Sequence, residues 1–367
     1  MIEARITDGR IALRNLEAQI EGLGPEAARA SACVDERVRL IDLFALRGSI
    51  LGAIADYEHA QELADRLVGD ANTTAAAFLA RAQARELFHR FADALEDLEV
   101  AERLGAAADI VNHERAAVFQ GLGRYEEALG IRQEAARRSP SFNSLGALAM
   151  LHAESGDAER ALHLHAESVR RYGGVSPLPL AVLEFQLGVM CMRKGDLRRA
   201  QHHLTAAVRY VPSYAPAQGH LAEVEAELGH AETAVALLYP LATTSDDPDY
   251  AGQLARILRY AGRTEDSRRW RQHAAERYDE LIARHPEAFA DHAAEFWLGV
   301  GGDPDKALRL AKLNFEVRRT PRACELLHQA SLATNSRERN FYQCPAAVPR
   351  SGAARYKHTS NAEGVIR

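Results

Sequence analysis

Residues 181–212 read AVLEFQLGVMCMRKGDLRRAQHHLTAAVRYVP, and the spacing inside this stretch decides the fold. Leu187 and Gly188 are followed by Gly195, then by Ala200, Leu204, Ala207 and Pro212. Apolar residues recurring at three- and four-residue intervals on both sides of Gly195 describe two amphipathic helices. Small residues at Gly188 and Ala200 let the helices approach closely, and the leucines beside them fill the space between. Gly195 suits the left-handed backbone that ends a helix. Pro212 stops the second helix, because it has no N–H to donate and its ring clashes with the preceding turn.

The same skeleton recurs along the chain. In the copy opening at Asp109, Ala116, Phe119, Gly123, Tyr125, Ala128, Ala135 and Pro140 keep the register, with Gly123-Arg124-Tyr125-Glu126-Glu127-Ala128-Leu129 as the turn between helices. Leu148, Gly156 and Ala161, then Leu221, Gly229 and Ala234, then Leu254 and Gly262, carry weaker copies. Copies open near residues 34, 75, 109, 142, 181, 215, 248 and 288, and spacings of 33 or 34 recur. These offsets resemble the tetratricopeptide repeat (TPR) family. The resemblance implies an all-α, right-handed superhelical solenoid of about eight antiparallel helix pairs, each burying its apolar face only by stacking on its neighbours.

The remaining chain organises around that array. Residues 1–33 contain an amphipathic helix over 7–22 (Ile11, Leu13, Leu16, Ile20), expected to stop near Gly22-Leu23-Gly24-Pro25 and to cap the first repeat. Residues 34–334 form the repeats, with a long helix from Thr264 to about Arg284, a kink expected at Pro240 and a closing helix from Pro321. The segment Gly173–Pro179 reads as a lengthened surface connection. In residues 335–367, Arg337, Arg339, Arg350, Arg355, Lys357 and Arg367 stand against Glu338 and Glu363, so this basic tail is expected to be flexible.

Composition narrows the function. A net charge of −6 gives no overall basic field for a phosphate backbone, so nucleic acid is not the expected partner. No run approaches the ~20 apolar residues of a membrane span, and the charged N-terminus is not a secretory leader, which points to a cytoplasmic protein. Cys33, Cys191, Cys324 and Cys344 are too scattered for a disulfide framework or a C-x-x-C site. Cys324 and His328 share a helix face with no second ligand pair, so no metal is expected. The chain holds no G-x-S-x-G elbow and no phosphate loop, and its carboxylates are indistinguishable from solvated helix faces. His292 with Glu295, or His113 with Glu114, could act only through tertiary placement. No catalytic residue, enzyme activity or cofactor is expected.

The resemblance implies a binding surface instead. In TPR proteins the first helix of each pair lines the concave side, which places Gln83 and Glu86, His113, Ala117 and Gln120, Asn143 and Met150, Phe185, Val189 and Met192, Glu223, and Arg256 and Arg259 inward. His220 lies one place off this register. Phe185, Val189 and Met192 make an apolar middle, where Met adapts to varied contacts, and Arg256 with Arg259 suits a carboxylate. The lysine and asparagine clamp by which some relatives hold chaperone tails is not reproduced at Leu79, Gln83, His113 and Glu114. The expected function is a non-catalytic scaffold or adaptor that holds a protein or peptide in this groove. The alternative is a sensor module that binds a small signal or peptide and acts on a separate subunit.

Overall fold

Alanine, leucine and glutamate favour helix throughout, and polar side chains cap the start of several helices. Thr74, Ser141, Asp157, Asp196, Asp247, Asp303 and Thr320 each accept a hydrogen bond from a first-turn backbone N–H. The computed structural model describes residues 6–27, 33–70 and 74–334. The described residues form α1 (Gly9–Ala27), eight helix pairs and a closing helix α18 (Pro321–Ala333). The first four pairs are α2 (Val34–Leu51) with α3 (Ile54–Gly69), α4 (Ala75–Leu87) with α5 (Phe91–Arg103), α6 (Ala108–Leu122) with α7 (Tyr125–Arg138), and α8 (Phe142–Glu154) with α9 (Ala158–Arg170). The next four are α10 (Leu178–Arg193) with α11 (Leu197–Tyr210), α12 (Ala215–Glu227) with α13 (Ala231–Thr244), α14 (Pro248–Tyr260) with α15 (Thr264–Arg284), and α16 (Pro286–Phe296) with α17 (Pro304–Val317).

This is the expected TPR-like solenoid, with every pair opening within a few residues of its anticipated start. The turn glycines Gly123, Gly156, Gly195, Gly229 and Gly262 all carry positive φ. In the pair α4–α5 that place is held by His89 at φ 55, a conformation a residue with a side chain adopts reluctantly. Gly188 supplies a close approach: a Cβ there would lie 2.6 Å from the Leu204 side chain.

One expectation changes. Helix α1 does not stop at Gly22 but continues to Ala27, because Leu16, Ile20 and Leu23 pack into a shared core and tertiary burial outweighs the local breakers. Pro240 lies inside α13, which continues to Thr244. The anticipated tail, residues 335–367, lies outside the described residues.

The solenoid coils tightly enough for one superhelical turn to touch the next. Leu16, Ile20, Leu40 and Ile50 share a core with Ala181, Val211, Tyr214 and Ala217, joining α1 and α2 to α10 and α12. Helix α3 has no cap of its own, and Asp246 from the later turn accepts from the Ile54 N–H at 2.6 Å and the Ala55 N–H at 2.9 Å. That carboxylate satisfies two orphan donors and faces the positive end of the helix. Glu58 meets Arg284 and His285, Phe88 stacks on His285 at 4.1 Å, and the His89 ring contacts the Glu287 carbonyl at 3.2 Å. The Arg319 N–H donates to the Leu122 carbonyl at 3.1 Å. The segment Gly173–Pro179 takes part as well, its Val175 carbonyl accepting from the Thr7 N–H. Partners in this seam lie about six repeats apart in sequence.

Two glycines isolate the seam experimentally. Gly123 and Gly156 both have left-handed φ, but a Cβ at Gly123 would sit 2.7 Å from the Arg319 carbonyl, while one at Gly156 meets nothing within 4 Å. Gly156→Ala is expected to cost about 1–2 kcal/mol from backbone strain alone. Gly123→Ala adds about 1–3 kcal/mol of overpacking against the opposing backbone. Thermal unfolding of the two variants checks this, and equal losses would show that the turns do not press together there.

Candidate functional site

The first helices of consecutive pairs present charged side chains to one another, and in the second half of the solenoid these link into a chain. Phe185 on α10 lies 5.4 Å from the Tyr214 ring and 5.5 Å from the His220 ring. His220 Nδ1 is 2.9 Å from Glu223 Oε2, and Arg256 on α14 donates to Glu223 Oε1 at 2.6 Å. Further along, Asp249 accepts from Gln253 at 2.7 Å, and His292 on α16 stands 4.0 Å from it. Glu295 then accepts a two-point hydrogen bond from Arg322 on α18 at 3.1 and 2.9 Å. Arg318 lies 3.6 Å from Asp291 and 3.4 Å from His89 Nε2, so the chain reaches the seam.

Electrostatics differ along this surface. Burial pushes the Glu223 carboxyl up, but the His220 hydrogen bond and the His220 and Arg256 charges outweigh it and bring its pKa down to about 2. Burial likewise raises Asp291, and His292, Arg322, His89 and Arg318 together hold it well below the usual carboxylate range. The Asp291 charge in turn raises His292. Enclosure and then the neighbouring Arg322 lower the pKa of Arg193 on α10, although its side chain still meets solvent. The first half behaves oppositely. Burial, followed by repulsion from Glu114, raises Glu86 to about 7 and Asp42 to about 6. Glu86 and Asp42 are thus raised by burial and a neighbouring acid, whereas adjacent cations hold Glu223 and Asp291 down.

The expected groove residues divide. Phe185, His220 and Arg256 fall into the one chain just described. Gln83 donates to Glu114 at 3.0 Å, His113 turns toward Arg132 of α7 at 3.0 Å, and Gln120 bonds Glu154. Phe185 and Met192 also pack on the core between α9 and α12, so packing accounts for part of their burial. Met150 and Val189 are partly buried, and Asn143 is exposed at the start of α8. Arg256 and Arg259 do not form the anticipated pair: Arg256 is taken by Glu223, while Arg259 lies over the Tyr260 ring at 5.7 Å at the exposed end of α14.

Asp249 and Arg322 were not anticipated. Extending the register to the copies at Ala288 and Pro321 reaches His292 and Arg322, so a signal existed for those two. Asp249 holds the second position of the copy opening at 248, the register that also gives Arg256 and Arg259, but its acidic, loop-like run obscured it. Among the described residues no three His, Cys, Asp or Glu side chains are placed to hold a metal ion, and no helix is long and apolar enough to cross a membrane.

Comparison with solved structures supports the architecture. The chain is similar to a chain of the APC/C hetero-tetramer Cut9–Hcn1 (12% identity, TM-score 0.50), covering 84% of itself and 58% of that chain. It is also similar to a monomeric mutant of IFIT1 holding m7Gppp-AAAA (15% identity, TM-score 0.53), covering 82% of itself and 71% of that chain. Against the first of these it spans less than two thirds of the other protein's length. Likeness at these identities concerns the fold. No protein-family model and no curated protein matches the sequence.

Proposed function

We propose that the chain is a non-catalytic scaffold that holds an extended or helical peptide segment along the surface made by α10, α12, α14, α16 and α18. The observation that carries this reading is a row of solvent-touching groups on successive helices, Phe185 with His220, Glu223 and Arg256, and then Glu295 with Arg322. It offers one aromatic face, two guanidinium groups and two carboxylates in sequence, which matches the mixed donors, acceptors and charges of a polypeptide. The tetranucleotide in the IFIT1 structure is not carried over, because Asp42, Glu86 and Glu114 would repel a phosphate backbone lying along the same inner surface.

Selection from a phage-displayed random peptide library, followed by titration of the enriched peptides, tests this. Arg256→Ala combined with Arg322→Ala is expected to weaken those peptides by about tenfold or more, the range of a removed charged anchor. Unchanged affinity in that variant, or displacement of the peptides by an equal concentration of oligo-dT, would overturn the reading.

A further inference from the structure

We propose a second binding site on the outer face: a notch between α13 and α15 that takes one apolar side chain from an acidic segment of a partner protein. The site opens between the second helices of two pairs, with Leu258 of α14 also in its lining; it shares no side chain with the inner surface described above and does not rest on that reading. Val235, Tyr239, Leu258 and Trp270 wall a cavity of about 160 Å³, and Arg263, its ion-pair partner Asp266, and Arg269 complete it. A cavity near this size lined by apolar groups accommodates a benzene-sized group, so one ring or branched aliphatic side chain fits. Tyr239 is 54% exposed although its ring meets Trp270 edge-on at 5.8 Å. An aromatic pair left open to water at a concave site is a cost unless something covers it.

The surroundings indicate what covers it. Beside the notch, Arg268, Arg269, Arg271 and His273 form an open, mainly basic surface on α15, with Glu276 at its edge. Arg263 is engaged by Asp266 and Arg268 by Glu265, both at the surface. Among the described residues no carboxylate lies within ion-pair distance of Arg269 or Arg271, and both are exposed. Arg269 at the notch and Arg271 in the adjoining patch match an acidic segment with an apolar anchor, because carboxylates can take the two forks while the anchor fills the notch. A nucleic acid fits less well, since Glu265, Asp266 and Glu276 flank the arginines and interrupt any continuous track for a backbone.

The test uses the full chain and a fluorescein-labelled peptide of about twelve residues, alternating Glu and Ser with one central Leu. Two companion probes are the same peptide with Ala in place of Leu, and an oligo-dT of similar length. Fluorescence anisotropy should show saturable binding of the Leu peptide, with the Ala peptide about fivefold weaker. Arg269→Glu combined with Arg271→Glu should weaken the Leu peptide by about tenfold or more, while Arg256→Ala on the inner surface leaves it unchanged. Trp270→Ala should also weaken it. Because that change disturbs packing between α13 and α15, the two surface arginines, checked for unaltered circular dichroism, decide the matter by themselves. The proposal is overturned by no saturable binding of the Leu peptide up to about 1 mM. It is equally overturned if the Ala peptide or oligo-dT binds as well as the Leu peptide, or if Arg256→Ala abolishes binding as completely as the α15 variant does.

Discussion

Asp97→Ala is expected to destabilise the first repeats by about 3–5 kcal/mol, the loss typical of stripping one partner from a buried ion pair. Asp97 sits on α5 at 2% exposure and faces two arginines of α4. Arg81 grips it through Nε at 2.9 Å and Nη2 at 2.7 Å, and Arg85 Nη1 reaches it at 2.7 Å. Removing the carboxylate leaves both guanidinium groups facing a low-dielectric space with no counter-charge. Asp97→Asn keeps an acceptor but not the charge, so a smaller loss is expected. Exposed Glu134, which meets Arg137 and Arg138 in water, serves as the contrast, and Glu134→Ala is expected to leave stability unchanged. Urea unfolding followed by circular dichroism gives the midpoints, and hydrogen exchange of α4 and α5 amides shows whether the loss is local, as nearest-neighbour coupling requires. A loss at Asp97 below about 1 kcal/mol would mean that the triad contributes no more than a surface pair.

That carboxylate also shows where sequence reading ends. The fold was legible because the repeat constrains backbone and packing together: Gly195 must turn left-handed, Gly188 must admit Leu204, and Pro212 must end a helix. Each demand restricts residue type at a fixed offset, and enough of them recur from copy to copy to fix the register. Asp97 lies in Glu96-Asp97-Leu98-Glu99, where only Leu98 announces burial, and a buried acid beside it reads as one more solvated face. The seam was illegible for a different reason. Asp246 caps α3 from about six repeats away, and nothing in a 34-residue period states where one turn meets the next. The same applies at the candidate site. The register placed Phe185 and Arg256 inward, but not that Glu223 already holds Arg256, nor that His89 reaches Arg318. His89 itself stands where other copies have glycine, a departure from pattern that coincides with a contact between turns.

Glu86→Gln is expected to stabilise the protein at pH 8 and to have a much smaller effect at pH 5. Glu86 faces the inner surface of α4, where burial first and the Glu114 charge second raise its pKa from 4.5 to about 7, against the opposing influence of Arg132. The folded state therefore holds this proton more tightly than the unfolded chain does. Its contribution is full below pH 4.5 and is lost as pH rises through about 7. A shift of that size corresponds to at most about 3 kcal/mol, and solvent reaching the side chain reduces it to about 1–3 kcal/mol. Glutamine retains the shape and hydrogen-bonding capacity of the protonated acid but cannot ionise. The variant should thus melt a few degrees higher than the parent at pH 8 and only slightly higher at pH 5. Asp42, raised to about 6 by burial and by the same Glu114, remains in the variant and keeps part of the alkaline decline. Melting temperatures of parent and variant across pH 4.5 to 8.5 decide the question. A uniform offset at every pH would mean that glutamine acts through packing and that the acidic half of the inner surface is better solvated than its geometry implies. A difference that opens between pH 5 and 8 would locate, on α4, stability given up to keep an uncompensated negative charge on the concave side.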